Sequence, residues 1–313
     1  MPLGLRRGTV TAVLEAHDEL VRLEVDDLAC VAYPRLTGPV DVGDDVLVNE
    51  QARLLGLGSG GFDILYANLT RGLGLPVEED AHVMTLPYAP GQATVRFLEE
   101  TERLADSLDG LPVVLCTLHS QFAHVCAALA GQRVAYVQVA GGALPVSLSD
   151  TVRALKERGL VEIAVAIAPC LDGDAQCVTA AAALTWAKAQ GYAAVVCSIG
   201  PGIVGTGSRL GHGALALADA ANAASALGGR PILAVRVSGA DPRERHRGVS
   251  HHAQAVLDLC LGDVVLADES HGEGWEKACA GLPLAHMGRG PEDDPAFFRA
   301  AFAAGVAARE LLG

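Results

Sequence analysis

Aromatic side chains and charges are both scarce in this sequence. Aromatic residues make up 4% of the 313 residues and charged residues 19%, whereas hydrophobic residues make up 50%. The interior must therefore be built from Ala, Val and Leu, in elements that pack closely together. This composition excludes a disordered chain, which would be rich in charge and poor in apolar residues.

Basic residues are also fewer than acidic residues. The formal net charge of -14 argues against nucleic acid or an anionic membrane as a partner, because binding to phosphate groups needs a basic face. No apolar run approaches the ~20 residues of a membrane helix, and no signal-peptide pattern opens the chain. The eight cysteines form no C-x-x-C pair, and several lie inside apolar runs. We therefore expect a cytoplasmic protein with buried free thiols.

Residues 1–58 have the pattern of a small all-β, barrel-like domain. Short Val-rich segments alternate with polar breaks, and Gly43-Asp44 marks a turn. A hairpin at 80–98 could complete this barrel or add an edge to the second domain. An oligonucleotide-binding barrel is disfavoured, because acidic side chains outnumber basic ones and stacking aromatics are few. The segment "LGLGSGGFD" (55–63) is a candidate linker.

Residues 101–313 alternate apolar runs with helical segments. Six runs, such as "LPVVLCTL" and "RVAYVQVA", are apolar almost throughout, as strands buried on both faces of a parallel sheet are. A TIM barrel would need eight such units. The prediction is an α/β fold: a doubly wound, mainly parallel sheet, with the small barrel-like domain at the N-terminus. Ser147 or Ser149 is expected to cap one helix, and Asp294-Pro295 to open the last.

In such a sheet, ligands bind beyond the carboxyl ends of the strands. Polar or small residues follow each predicted strand there: His119, Gly141, Gly142, Asp172 and Asp241. We expect all of them at one edge, with His119 as a candidate acid or base and the others as ligand contacts.

The segment 198–213, "SIGPGIVGTGSRLGHG", holds six glycines between a strand and a helix. Backbone N–H groups in such a loop can bind phosphate oxygens. Pro201 and the long continuation before the helix disfavour a dinucleotide site, and no P-loop motif is present. Two interpretations stay open, an anion cradle and a turn required for packing. The residues of the predicted cradle are Gly200, Gly202, Gly205, Thr206, Gly207, Ser208 and Arg209.

The segment "DPRERHRGVSHH" (241–252) is the most basic part of an acidic chain. Arg245 and His251 are candidate ligand contacts, and His252 is a second candidate acid or base. The alternative is a solvated loop whose arginines pair with Asp241 and Glu244. Because neighbouring residues diverge by about 100° on a helix, His251 and His252 are not expected to share an ion. We predict no metal site.

Four segments together resemble a bacterial family catalogued as domain of unknown function 3866. They are "VQVAGGALP", "GPGIVGTGSRLGHGAL", "GVSHHAQAVLDL" and "HVMTLPYAPGQ". The family's marks fall here on Gly200–Gly207 and Ser250–His252. This chain departs from the pattern at Ser208, often Thr in the family, and lacks basic residues around Thr85 and Pro87. The resemblance implies that these motifs share one site, and it brings no activity or cofactor.

The leading functional hypothesis is a protein that binds, and could act on, a small anionic or phosphate-bearing metabolite at the glycine-rich loop. A non-catalytic sensor and a structural homo-oligomer are the alternatives, since the same polar edge serves binding and catalysis. The sequence leaves the cofactor open.

Overall fold

The computed structural model describes residues 3–56, 60–76 and 80–313, and the chain divides into two compact units, Met1–Ala81 and His82–Gly313. No helix among these residues combines the length and the hydropathy needed to cross a bilayer.

The first unit is a closed five-stranded barrel with neighbour order β1-β2-β3-β5-β4. Its elements are β1 (Leu5–Ala16), β2 (Val21–Val25), β3 (Leu28–Ala32), α1 (Pro34–Thr37), β4 (Asp45–Asn49), α2 (Gln51–Leu54) and β5 (Asp63–Asn68). Alternate residues such as Val10, Leu23 and Val48 fill its interior. At its rim, the buried carboxylate of Asp63 accepts hydrogen bonds from Arg6 at 3.1 Å and Arg53 at 2.8 Å.

The barrel differs from the sequence prediction at its closing strand. The strand β5 lies beyond residue 58 and closes the barrel by pairing parallel to β3 and antiparallel to β4. The barrel therefore continues past residue 58, the predicted boundary. Residues 57–59 of the predicted linker lie outside the described residues. Among the residues that the structure describes, the two strands of the predicted hairpin pair only with each other.

The second unit is the α/β unit. Its elements are β6 (Val83–Thr85), β7 (Ala93–Val95), α3 (Leu98–Thr101), β8 (Pro112–Cys116), α4 (Phe122–Ala128), β9 (Val134–Val139), α5 (Asp150–Glu157), β10 (Ile163–Ile167), β11 (Ala175–Cys177), α6 (Ala180–Ala189), β12 (Ala194–Ile199), α7 (Ala216–Ala226), β13 (Arg230–Ala234), β14 (Val237–Ser238), β15 (Gly248–Val249), α8 (His251–Leu259), β16 (Val265–Leu266), α9 (Trp275–Ala278) and α10 (Pro295–Glu310).

Seven parallel strands form its sheet, in the order β11-β10-β9-β12-β8-β13-β16. The chain moves outward from β8 to β11 and then returns to place β12 between β9 and β8. Alternate strand residues face opposite layers: Val114 packs with α4, α5 and α10, whereas Val113 packs with α6 and α7. The predicted doubly wound α/β fold is confirmed, and the loops after β12 and β13 leave the sheet at the same edge.

Helix boundaries follow the local sequence signals. Ser149 caps α5 by accepting a hydrogen bond from the Val152 N–H, and α10 begins at Pro295. The prediction missed β11, a three-residue strand at the edge of the sheet.

Candidate functional site

Two loops cross at the carboxyl edge with almost no space between their backbones. A Cβ atom on Gly213 would lie 2.0 Å from the Gly141 carbonyl oxygen, and one on Gly142 would lie 2.1 Å from the Gly200 carbonyl oxygen. The Val204 N–H donates to the Gly141 carbonyl across this crossing at 2.9 Å. These four glycines are therefore required by backbone contact, which favours the packing interpretation at their positions.

The tip of the glycine-rich loop is an exposed, self-bonded turn. Gly205 pairs with His212 in an isolated bridge, and the Thr206 and Ser208 hydroxyls lie 2.9 Å apart. Arg209 extends outward to Asp258 at 2.6 Å. A 3-10 turn at Gly213–Leu215 leads into α7, which begins at residue 216, so Gly202, Gly205 and Gly207 do not lie at a helix N-terminus. The structure thus places Gly202, Gly205, Thr206, Gly207, Ser208 and Arg209 along one surface turn.

His119 holds three parts of the fold together. Its Nδ1 lies 3.1 Å from the Ile199 carbonyl oxygen and its Nε2 lies 2.6 Å from the Ser149 hydroxyl. This pattern fits a neutral ring that donates from Nδ1 and accepts at Nε2. Burial lowers the His119 pKa to about 4. Both ring nitrogens are therefore engaged by groups of the fold.

Asp172 belongs to another part of the edge. It is buried after β10 with a left-handed backbone, and it accepts a short hydrogen bond from the Ser147 hydroxyl. It thereby ties this loop to the approach to α5.

Four histidines form a cluster beside the crossing: His212, His246, His251 and His252. The rings of His212 and His252 are stacked with centroids 3.9 Å apart. The His246 ring lies 4.8 Å from that of His251 and 4.9 Å from that of His252. We call this group the histidine cluster. Sequence reasoning singled out neither His212 nor His246 as a site residue.

Local structure explains how these rings meet. The short strands β14 and β15 pair and fold the segment between them back on itself, and Ser250 then caps α8. The Ser250 hydroxyl also lies 2.7 Å from His246 Nδ1. His251 and His252 are the first two residues of α8, and their ring centroids are 4.4 Å apart. The predicted divergence is wrong, because no preceding helical turn restricts side-chain rotation there.

Beside the histidine cluster, one buried carboxylate is shared by three guanidinium groups. Asp241 accepts from Arg236 at 3.2 Å, from Arg243 at 2.8 Å and from Arg289 at 3.4 Å. Asp294 adds a second carboxylate, 3.5 Å from Arg289. We call Arg236, Arg243 and Arg289 the arginine group. Arg243 belongs to the basic segment 241–252, and its pairing with Asp241 is the one that the solvated-loop alternative expected. Arg236 was not predicted, and Arg289 arrives from a distant part of the chain.

Burial and positive charge keep the clustered histidines neutral. Burial, followed by the charges of Arg236 and Arg243, lowers the pKa of His246 to about 3. Burial, His212 and Arg236 lower the pKa of His252 to about 2. The pKa values of His212 and His251 are also lowered, chiefly by burial. The hydrogen bond from Arg243 holds the Asp241 pKa well below its usual range.

Several buried polar atoms at this site lack an internal partner. Within the described residues, both ring nitrogens of His212, Nε2 of His251 and Nε of Arg236 make no hydrogen bond. His212 also borders an open depression of about 550 Å³, lined in addition by Gly141, Gly213 and Leu259. Buried groups of this kind are normally satisfied, so the arrangement suits a site completed by a ligand.

Comparison with known proteins places the chain in a family. No curated protein matches the sequence. The sequence model of the family described as "Protein of unknown function (DUF3866)" matches residues 29–273. This match spans the loop crossing and the histidine cluster. Because it covers most of the chain, the protein belongs to the DUF3866 family.

Proposed function

We propose that the carboxyl edge of the sheet binds a small anionic metabolite carrying a phosphate or carboxylate group. The observation that carries this proposal is the arginine group, in which three guanidinium groups face two buried carboxylates, those of Asp241 and Asp294. This excess of positive charge is local, because the whole chain has a net charge of -14.

Exposure decides which arginines can reach a ligand. The side chain of Arg243 is 35% exposed and that of Arg289 is 17% exposed, whereas that of Arg236 is 2% exposed. Arg243 and Arg289 are therefore the direct contacts, with guanidinium geometry suited to paired hydrogen bonds with carboxylate or phosphate. Arg236 contributes its charge from a buried position, and Asp241 holds the three side chains in place.

The glycine-rich loop has a supporting part in this binding site. Its hydroxyls bond to each other, but its base delivers His212 to the histidine cluster. The unpartnered ring nitrogens of His212 are then hydrogen-bond groups for the anion, and His251 and His252 stay neutral neighbours. Arg245 is exposed, and its charge still lowers the pKa of His251, so it adds to the attraction.

The test is a thermal-shift screen at low salt with methylphosphonate, sugar phosphates, nucleotides and dicarboxylates. A ligand at about 100 times its Kd stabilises the protein by ~2.7 kcal/mol. We expect Arg243→Ala to remove the shift. Arg209→Ala is the matched control, because Arg209 is an exposed arginine on the glycine-rich loop that pairs with Asp258.

Two results would overturn this assignment. If no anion stabilises the wild-type protein, the edge does not bind this class of ligand. If Arg209→Ala removes the shift and Arg243→Ala keeps it, the anion binds at the glycine-rich loop, as the sequence alone suggested.

A further inference from the structure

We infer that His246, His251 and His252 bind a divalent transition metal of the zinc class, and that the metal takes an anion as a further ligand. The second half of this inference rests on the proposed function, because the co-ligand is the anion held by the arginine group. The first half rests on the histidines alone.

The three side chains are close enough to share an ion. Each offers one ring nitrogen, and these nitrogens all lie within 4.8 Å of one another. Zinc–nitrogen bonds of ~2.0–2.1 Å in a tetrahedron put ligand nitrogens about 3.4 Å apart. The ring nitrogens therefore need to move closer to one another by little more than 1 Å. Rotation of the side chains at the start of α8 supplies this movement.

The surroundings of His246 and His251 fit the role of ligands. His246 Nδ1 bonds to the Ser250 hydroxyl at 2.7 Å. That contact orients the ring and leaves Nε2 for the metal. Metal-bound histidines are usually oriented in this way, by a hydrogen bond at the other ring nitrogen. Nε2 of His251 is buried without a hydrogen-bond partner among the described residues. A metal ion would satisfy this atom.

The third ligand requires one rearrangement. His252 Nδ1 lies 3.4 Å from Nη1 of Arg236, a long contact in which the ring nitrogen accepts. Binding of a metal at Nε2 moves the ring proton to Nδ1 and ends this contact. Arg236 keeps its hydrogen bond to Asp241, so its charge stays in place.

The neighbouring arginines favour an anion as a further ligand of the metal. A dication beside the arginine group is repelled unless negative charge arrives with it. Three protein ligands also leave a coordination position open, as in catalytic zinc sites. His212 is stacked face to face on His252, so its unpartnered nitrogens suit hydrogen bonds to the co-ligand better than a bond to the same ion.

Metal and anion should therefore bind cooperatively. The factor by which an anion tightens metal binding must equal the factor by which the metal tightens anion binding. Loss of a ligand histidine should weaken metal binding at least about tenfold, since loss of a mere orienting partner already costs about 10- to 100-fold.

The test is a titration of the chelator-treated full-length protein with Co²⁺, followed by its visible d–d absorption. We expect one Co²⁺ per chain with nitrogen and oxygen ligands, and at least about tenfold weaker binding in His251→Gln and His246→Gln. His271→Gln is the control, because His271 lies outside the cluster and faces Glu310. Circular dichroism establishes that each variant is folded.

Three outcomes are decisive. The metal site is overturned if Co²⁺ does not bind, if binding is unchanged in both cluster variants, or if a thiolate-to-cobalt charge-transfer band appears. In that case the proposed function still stands if methylphosphonate gives a thermal shift that depends on Arg243. Histidine-dependent binding that methylphosphonate leaves unchanged supports the metal site and overturns the coupling. Histidine-dependent binding that methylphosphonate tightens in the wild type and not in Arg243→Ala supports both halves.

Discussion

The close crossing of the two loops predicts that one added methyl group at Gly213 strongly destabilises the protein. In Gly213→Ala, the new Cβ would lie 2.0 Å from the Gly141 carbonyl oxygen, whereas ordinary contact begins at 3.4 Å. The obstructing atoms belong to backbone, so no side-chain rotation relieves the clash. The loops must separate by more than 1 Å, the difference between these two distances.

That separation removes identifiable interactions. It breaks the Val204 N–H bond to Gly141 at 2.9 Å and strains the Gly213 N–H bond to Val204 at 2.8 Å. Two backbone hydrogen bonds contribute ~2 kcal/mol together, and the forced shift of a packed region costs a further ~1–3 kcal/mol. We expect Gly213→Ala to lower the free energy of unfolding by about 3 kcal/mol or more.

Gly207→Ala is the matched control in the same loop. A Cβ on Gly207 meets nothing within 4 Å, and its backbone is not left-handed. We expect its effect to stay within about 0.5 kcal/mol. Urea unfolding followed by tryptophan fluorescence measures both variants in the relevant unit, because the only tryptophans, Trp186 and Trp275, are buried in the α/β unit. Equal stability of Gly213→Ala and Gly207→Ala would refute the crossing.

Three further predictions concern other parts of the chain. Burial lowers the pKa of His124 to about 4, so the unfolded chain takes up this proton first and stability falls with pH below ~6.5. From pH 7 to pH 5 this group lowers the free energy of unfolding by ~2 kcal/mol. Urea titrations at the two pH values should show that His124→Leu removes this part of the loss, and an unchanged loss would contradict the assignment. Seven of the eight free cysteines are buried and Cys260 is partly exposed, so a thiol reagent should label Cys260 alone quickly, and rapid labelling of several thiols in the native protein would argue against this interior. Asp63→Asn removes the carboxylate shared by Arg6 and Arg53 and should destabilise the barrel by ~2 kcal/mol, less than a fully buried pair because the arginines are partly exposed; faster hydrogen exchange confined to barrel peptides is the readout, and unaltered exchange would refute it.

Local signals account for most of the predicted fold. The long apolar runs mark six of the seven sheet strands, and Ser149 and Pro295 mark where helices begin. Within the barrel and the seven-stranded sheet, two strands were not predicted, because neither carries a strong local pattern. The strand β11 is only three residues long, and β5 depends on pairing with the distant β3.

The candidate site depends on contacts that no local pattern contains. The spacing Gly200-x-Gly202-x-x-Gly205 resembles a phosphate loop, but Gly200 is needed because a Cβ there would lie 2.1 Å from the Ala143 carbonyl oxygen of the second loop. His212 and His246 reach one cluster from different loops, after β12 and after β13. Likewise, Arg289 meets Asp241 across 48 residues of chain. Sequence reasoning located the edge of the sheet and could not determine which side chains meet there.

The loop crossing also makes the position of His212 independent of the exposed tip of the same glycine-rich loop. Val204 and Gly213 are anchored to Gly141 and to each other, so the position of His212 is set below the exposed tip at 206–210. Residues of that tip can change in number or type while the histidine stays in register with α8. The tip is therefore a natural point for inserting an affinity tag or a fluorescent reporter within a few residues of the binding edge, with the edge itself left undisturbed.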